Sequence, residues 1–148
     1  MKTVEITIMN RLGDVAQVSR LWDELAIAHH LSSGMVIDMH IALDEALTNI
    51  IRYAYEEGGS HEIHVRLTVD GDRIQADIED GGKPFNPLTA PPPKIGGSLD
   101  ERLRDGLGIH LMKGVMTEVS YSLVGNRNRL VLMKKMTTGA EEGTDGNA

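Results

Sequence analysis

The sequence predicts an α+β fold, a two-layer sandwich in which helices cover one face of a mainly antiparallel sheet. Three observations predict it. Short stretches in which apolar and polar residues alternate stand near both ends of the chain and in its middle. Longer stretches between them repeat apolar residues at helical spacing. The strands also follow one another in pairs joined by short turns, which favours antiparallel neighbours.

The first part of the chain is predicted to form one strand and two helices. Residues 3–9 alternate strictly, which indicates a half-buried strand. Apolar residues recur every three or four positions over residues 13–31 and again over 35–56, which predicts two amphipathic helices. A Ser-Ser-Gly stretch separates the two helices, and a Gly-Gly pair follows the second.

The clearest local signal is a hairpin in the middle of the chain. Residues 63–69 and 74–78 alternate between apolar and polar, and the pair Asp70-Gly71 stands between them. An Asp-Gly pair in this position predicts a two-residue turn in which both residues have positive φ. The two strands would then be antiparallel neighbours.

The last part of the chain is predicted to form a lid, a helix and a second hairpin. Residues 86–105 lack periodicity and contain three consecutive prolines, and loops of this length in compact domains are functional lids or disordered. A short helix is expected over residues 108–118. Two strands follow over 119–124 and 129–135, and a four-residue turn, Gly125-Asn126-Arg127-Asn128, is predicted to join them.

Composition limits the class of protein. The 148 residues fit one domain, predicted over residues 1–136, with a flexible acidic, Gly-rich tail over 137–148. The chain has no cysteine, which excludes disulfides and thiolate metal sites and suits a reducing cytoplasm. A net charge of −7 argues against direct binding to nucleic acid or to anionic lipid, and no apolar stretch is long enough to span a membrane.

The second predicted helix carries two polar residues, Glu45 and Asn49, one turn apart on the side opposite its apolar stripe. A solvated polar face explains them, as it does on most amphipathic helices. The alternative is that both side chains point into a site. There the carboxylate would accept a proton and the amide oxygen would coordinate Mg²⁺. The helix alone leaves both interpretations open.

Asp80 is predicted to point into the core. Ile74, Ala76 and Ile78 face inward, and the alternation of the strand gives Asp80 the same direction. Either the strand ends first and Asp80 begins a turn, or the buried carboxylate accepts a hydrogen bond from a ligand amino group. In the second case the two following glycines, of which Gly82 is one, would let the backbone pass close to that ligand.

A third polar element is RDGLGIHLM, residues 104–112, in which a Gly-rich turn opens the last predicted helix. Free N–H groups and the helix dipole favour an anion such as phosphate at this position, although an ordinary helix start also explains the glycines. His110 lies just inside the helix. The chain contains no Walker A pattern, which excludes a P-loop nucleotide site.

Together and in this order, the three elements resemble the ATP-binding boxes of the Bergerat-fold superfamily, the GHKL ATPases, which includes histidine kinases and gyrase. DEALTNIIRYAY is similar to the box that carries an asparagine, EDGGKPFNP to the first Gly box, and DGLGIHLMKGVM to the second. The short length, the Pro-rich lid and the closing strands resemble one branch of the superfamily. Over about residues 3–136 the chain resembles the anti-sigma factors that are also serine-protein kinases.

The resemblance implies a role for each box. Glu45 would be the general base, or the orienting group, for the attacking hydroxyl. Asn49 would hold the Mg²⁺ that bridges the ATP phosphates, and Asp80 would bind the exocyclic amino group of adenine. The remaining nucleotide contacts would come from Gly82, Gly106, Leu107, Gly108 and His110.

The resemblance also implies a function. The chain would bind ATP, phosphorylate a STAS-domain anti-sigma factor antagonist, sequester a sigma factor and form a homodimer in the cytoplasm. One alternative is a partner-switching module that binds ATP without transferring phosphate, and another is a scaffold that binds no nucleotide. Three residues depart from the family pattern: Tyr53 replaces a frequent His, Pro84 replaces a Gly, and Asn128 replaces a Thr beside the adenine.

Overall fold

The computed structural model describes residues 1–55, 57–89 and 108–136, with the backbone alone described for residues 108–110. Within these ranges the chain forms five strands and three α-helices, in the predicted order. The strands are β1 (Lys2–Met9), β2 (Glu62–Asp70), β3 (Arg73–Asp80), β4 (Glu118–Val124) and β5 (Arg127–Lys135). The helices are α1 (Val15–Ala28), α2 (Ser33–Tyr53) and α3 (Gly108–Val115), with short 3₁₀ turns at Leu12–Asp14 and Pro87–Thr89.

The five strands form one antiparallel sheet in the order β1-β2-β3-β5-β4. β4 follows β3 in the chain but forms the far edge, so β5 lies beside β3 in the sheet. The register pairs Asp80 at the end of β3 with Asn128 near the start of β5. The predicted α+β sandwich with an antiparallel sheet is confirmed.

One face of the sheet and the apolar sides of the helices form the core. β2 contributes every second residue to it, as the alternating pattern predicts. α2 buries a stripe made of Met35, Met39, Ala42, Leu43, Ala46, Leu47 and Ile50. Trp22 of α1 is 1% exposed and donates from Nε1 to the carbonyl oxygen of Val36 at 3.1 Å, so its one polar atom is paired. Burial of each large apolar side chain contributes about 1.5–3 kcal/mol.

Both ends of α2 are fixed by local contacts. Ser32 caps the first turn, because its hydroxyl oxygen accepts a hydrogen bond from the backbone N–H of Met35 at 3.2 Å. The helix ends at Tyr53, earlier than the predicted residue 56. Just beyond it, the carbonyl oxygen of Ala54 accepts from the backbone N–H of Lys83 at 3.1 Å. The end of α2 is therefore held against the segment that follows β3.

The turn of the first hairpin differs from the predicted turn by one residue. Asp70 pairs with Arg73, so the two turn residues are Gly71 and Asp72 rather than Asp70 and Gly71. Of the two, Gly71 alone has positive φ, at 59°. The prediction of two positive φ angles was wrong, since a glycine at the first central position suffices for a turn of the II′ kind.

The turn of the second hairpin is shorter than predicted. β4 ends at Val124 and β5 begins at Arg127, which leaves Gly125 and Asn126 as the two turn residues, with φ of 62° at the glycine. Arg127 and Asn128 therefore belong to β5, and assigning them to the turn was wrong. As a consequence Asn128 occupies a core-facing position opposite Asp80.

Several predicted features lie outside the described residues. Of the predicted lid over 86–105, the structure describes residues 86–89, which contain the second 3₁₀ turn. The predicted tail, 137–148, and the site residues Gly106 and Leu107 are also outside. Among the helices of the described ranges, none has the length and apolar content needed to cross a membrane.

Candidate functional site

The structure brings Glu45 and Asn49 into direct contact. Nδ2 of Asn49 donates to the carbonyl oxygen of Glu45 at 2.6 Å and to its Oε2 at 2.9 Å. Both partners are acceptors, so the nitrogen of the amide must face them and the oxygen must point the other way. Asn49 is 6% exposed, which argues against a merely solvated polar face. Its oxygen is the atom that would coordinate a cation.

Asp80 is 1% exposed and belongs to β3, so the prediction of an inward carboxylate is confirmed. Burial raises the pKa of Asp80 above its ordinary value. Hydrogen bonds from the Asn128 side chain and the Gly82 backbone, together with the charge of Arg127, lower the pKa and offset part of this rise. The result is a buried acid with local partners that support its ionised form.

Asn128 is the partner of Asp80 that the sequence prediction did not identify. Its Nδ2 donates to Oδ1 of Asp80 at 2.9 Å, and to the carbonyl oxygens of Gly82 and Lys83 at 3.3 and 3.0 Å. The side chain is 5% exposed. A signal was present in the sequence, because Leu130 and Leu132 face the core and their alternation extends to residue 128.

The ends of α2 and β3 lie at the same edge of the molecule. The rings of Tyr53 and Phe85 are in contact, with centroids 5.8 Å apart. Ala54 and Lys83 share the backbone hydrogen bond described above. Asn49 lies one turn before Tyr53 on α2, and Asp80 directly precedes the segment that contacts the end of α2, so the amide and the buried acid are carried by neighbouring elements.

Gly82 is in close contact with the end of α2. A Cβ atom added to it would lie 2.7 Å from the carbonyl oxygen of Ala54 and 2.8 Å from the Cβ of Ala54. Both distances are shorter than real Cβ contacts allow. Residue 82 must therefore be glycine for packing, whatever it contributes to a ligand.

Replacing Gly82 by alanine is expected to destabilise the protein by about 1–3 kcal/mol, because the added methyl group forces α2 away from the segment after β3. The measurement is the melting temperature, which should fall by several degrees. Gly81→Ala is the matched control, since its Cβ would meet only Nη1 of Arg127, at an ordinary 3.4 Å. Equal melting temperatures for the two variants would show that the contact with Ala54 is not restrictive.

Two buried polar atoms near Asp80 make no hydrogen bond of ordinary geometry within the described part of the chain. They are the hydroxyl oxygen of Tyr55 and Nη2 of Arg127. Burial raises the pKa of Tyr55, and the negative charge of Asp80 raises it further. The nearby backbone of Gly81 and Gly82 and the charge of Arg127 offset part of this rise in pKa. Buried polar atoms are normally paired with protein or with ordered water. A polar ligand or water beside Asp80 would supply the kind of partner that they lack.

The third predicted element is described in part. Gly108 is the first residue of α3, and the backbone of His110 lies in its first turn. α3 packs against α2, and Met112 and Met116 are buried in the core. Lys134 fixes the other end of α3, because its Nζ donates to the carbonyl oxygen of Val115 at 2.7 Å. α3 therefore packs against α2, the helix that bears Glu45 and Asn49.

The chemistry of these side chains fits ATP and Mg²⁺. A buried carboxylate accepts a hydrogen bond from an amino group, and an amide oxygen is a hard ligand for magnesium. In the described ranges no group of three or more His, Cys, Asp or Glu side chains could hold a metal. A Mg²⁺ at Asn49 would therefore take its other ligands from phosphate oxygens and water, as this ion commonly does.

Comparison with known proteins places the chain in a family. The family model for the histidine kinase-like ATPase domain matches residues 8–135. The chain belongs to this family. The match spans the sheet from the end of β1 to the end of β5, and thus includes all three predicted boxes. The resemblance to the superfamily is confirmed.

Individual relatives are protein kinases and an anti-sigma factor. The chain is 29% identical over 110 residues to the serine/threonine-protein kinase BtrW of Bordetella bronchiseptica, which covers 74% of this chain and 78% of that protein. It is 31% identical over 106 residues to the serine-protein kinase RsbW of Bacillus velezensis, covering 69% and 65%. It is 27% identical over 124 residues to the anti-sigma F factor of Anoxybacillus flavithermus, covering 83% and 77%. The predicted branch is confirmed by these relatives.

A solved structure shares the fold. The crystal structure of the RsbU and RsbW domains of Rv1364c from Mycobacterium tuberculosis superposes with a TM-score of 0.63 at 13% identity. The match covers 90% of this chain and 32% of that one, so the chain spans about a third of the mycobacterial protein. At this identity the similarity establishes the fold alone.

Proposed function

We propose that the protein is an ATP-dependent serine-protein kinase that phosphorylates a STAS-domain anti-sigma factor antagonist and also sequesters a sigma factor. The observation that supports this most is the Glu45–Asn49 contact on α2. It lies at the edge of the molecule where β3 ends with the buried acid Asp80. The kinases and the anti-sigma factor among the relatives support the same assignment.

Each residue of the site has one task in the proposed reaction. Asp80 accepts a hydrogen bond from the amino group of adenine and so orients the base. The amide oxygen of Asn49 would hold Mg²⁺, and the ion would supply positive charge against the phosphates. The carboxylate of Glu45 accepts the proton of the attacking serine hydroxyl, or orients that hydroxyl. Further nucleotide contacts are proposed for Gly82, Gly106, Leu107, Gly108 and His110.

Geometry gives Glu45 and Asn49 their division of labour. The hydrogen bond to Oε2 of Glu45 keeps the amide nitrogen on the carboxylate side, so the amide oxygen points away from the carboxylate, where it could bind a metal. The same bond holds the carboxylate beside the amide that would bind the metal. The proposed base and the amide that would hold Mg²⁺ are thereby kept within one helical turn of each other, which is the kind of positioning that phosphoryl transfer requires.

The proposal includes the partners and the setting of the reaction. The acceptor serine belongs to the antagonist, and the sigma factor is bound by the same protein, which we propose to be a homodimer in the cytoplasm. The alternative is a partner-switching module that binds ATP and transfers nothing. Mass spectrometry after incubation with Mg-ATP and a STAS-domain partner separates the two. A single added phosphate supports the kinase, whereas an unchanged mass with a stable complex supports the module.

Nucleotide binding itself is expected to stabilise the protein. At a free concentration of about 100 times its dissociation constant, a ligand adds about 2.7 kcal/mol. For a domain of this size the melting temperature should rise by several degrees with Mg-ATP or Mg-ADP. Mg²⁺ with inorganic phosphate is the control and should leave the melting temperature unchanged. A melting temperature that does not respond to either nucleotide would favour a scaffold without a nucleotide site.

A further inference from the structure

The amide of Asn128 is fully occupied by protein partners. Its nitrogen donates to Asp80 and to the carbonyl oxygen of Lys83, at 2.9 and 3.0 Å. Its oxygen accepts from the backbone N–H of Phe85 at 3.1 Å and from the hydroxyl of Tyr121. A side-chain amide has two N–H donors and one oxygen with two lone pairs, so every one of these is used. Asn128 is therefore placed to act on a ligand through Asp80 and not by touching it.

This arrangement fixes the orientation of the Asp80 carboxylate. Nδ2 of Asn128 lies 2.9 Å from Oδ1 of Asp80 and 3.4 Å from Oδ2, so the bond is made chiefly to Oδ1. Rotation of the carboxylate would break this bond inside the protein and leave one N–H of Asn128 without its partner, which is unfavourable where water cannot replace it. Oδ2 is thereby left as the oxygen that has a fixed direction and remaining acceptor capacity.

We propose that Asn128 is a positioning residue for purine selectivity. It holds Asp80 in the orientation in which the site accepts a 6-amino purine and rejects a 6-oxo purine. The inference rests on the proposed function, because it takes Asp80 as the acceptor for adenine. An ionised carboxylate can only accept hydrogen bonds. The amino group of adenine donates one to it, whereas the 6-oxo group of hypoxanthine presents a second acceptor and leaves Oδ2 of Asp80 without a donor from the ligand.

Asn128 also favours the ionised form on which this selectivity depends. Its hydrogen bond lowers the pKa of Asp80 against the effect of burial. Without that bond, Asp80 gains both rotational freedom and a greater tendency to be protonated, and a protonated acid can donate to a 6-oxo group. Loss of Asn128 should therefore weaken binding of the amino purine specifically.

A purely structural role is the rival explanation, because the same amide ties residues 83–85 to β5. Loss of that tether would loosen the segment beneath any purine and weaken all nucleotides to the same degree. The two roles are therefore separated by a ratio of affinities and not by either affinity alone.

The test measures dissociation constants of ATP and of inosine triphosphate, which carries the 6-oxo group, by calorimetry on the full chain. The unchanged protein should prefer ATP by about 100-fold or more, as sites built around a substrate hydrogen bond do. In Asn128→Ala the affinity for ATP should fall about tenfold or more, and that for inosine triphosphate should change less than about threefold. The ratio of the affinity for ATP to that for inosine triphosphate then falls about tenfold.

Two further variants guard the interpretation. In an Asp80→Asn background, Asn128→Ala should change the ratio less than about twofold, because the residue through which it acts has been altered. Should Asn128→Ala fail to fold, Tyr121→Phe removes one hydroxyl from a half-buried residue and should narrow the preference in the same direction, about twofold. Either of these results supports the inference.

If Asn128→Ala lowered the affinities for both nucleotides by the same factor, the inference would be overturned and the role of Asn128 would be structural. A preference for ATP that is unchanged in both Asn128→Ala and Tyr121→Phe would also overturn the inference. That result would leave the proposed function standing. If the unchanged protein bound neither nucleotide, the proposed function and this inference would both be overturned.

Discussion

Replacing Glu45 by glutamine is expected to lower phosphate transfer to the STAS-domain partner by about 10²–10⁴-fold, the range for loss of a general base. Glutamine keeps an oxygen that can accept from Nδ2 of Asn49, so the amide that holds the metal stays oriented. The affinity for ATP should therefore remain within about threefold. The measurement is single-turnover transfer from labelled ATP, together with the dissociation constant of ATP.

Asp44→Asn is the matched control for this experiment. It removes the same charge from the neighbouring residue of α2, where the side chain is exposed and lies off the Glu45–Asn49 face. Transfer by this variant should equal that of the unchanged protein within about twofold, since an exposed charge is screened by water. If Glu45→Gln transferred phosphate at the rate of the control, Glu45 would have no role in the reaction. Asn49 would then be the main contribution of α2.

The local patterns of the sequence predicted most of the fold and the placement of three candidate site residues. Alternation identified the strands, and its continuation from Ile78 placed Asp80 in the core. Helical spacing put Glu45 and Asn49 on one face, because residues four apart in a helix are neighbours. These predictions succeeded because each depends on geometry within a single element.

The contacts between elements could not be predicted from these patterns. Asn128 meets Asp80 only because β5 inserts beside β3, and the order of strands in a sheet is not encoded in the period of any one strand. The four-residue turn assumed for the second hairpin also removed Asn128 from its strand. A Gly-Asn pair is itself a signal for a two-residue turn, and giving it that weight would have restored the register. The fit of Gly82 against Ala54 is likewise a contact between distant segments.

Replacing Asp80 by asparagine is expected to lower the affinity for ATP by about 30–100-fold, while making the nucleotide-free protein more stable at neutral pH. Nδ2 of Asn128 faces position 80, so the new amide must turn its oxygen to Asn128. Its NH₂ group then faces the amino group of adenine, and two donors meet. The measurements are the dissociation constant of ATP and the melting temperature without nucleotide.

Asp77→Asn supplies the matched control on the same strand. Asp77 is also buried, at 7% exposed, but it lies on the opposite face of β3, where it accepts from Nη2 of Arg129 at 3.2 Å. Removing its charge should weaken this ion pair and lower the melting temperature slightly, with ATP affinity within about twofold of the unchanged protein. Comparable losses of ATP affinity in both variants would show that the effect of Asp80→Asn is not specific to the site.

The gain in stability from Asp80→Asn should depend on pH with a definite sign. Because burial raises the pKa of Asp80 above its ordinary 3.8, the folded protein binds its proton more tightly than the unfolded chain does. The stabilising contribution of Asp80 is fully present below that ordinary value and is lost as the pH rises through the folded pKa. At neutral pH the buried charge therefore costs stability, and asparagine removes the cost. The difference in melting temperature should shrink as the pH is lowered toward 4. A difference that grows on acidification would mean that the charge of Asp80 stabilises the fold, and the raised pKa would be wrong.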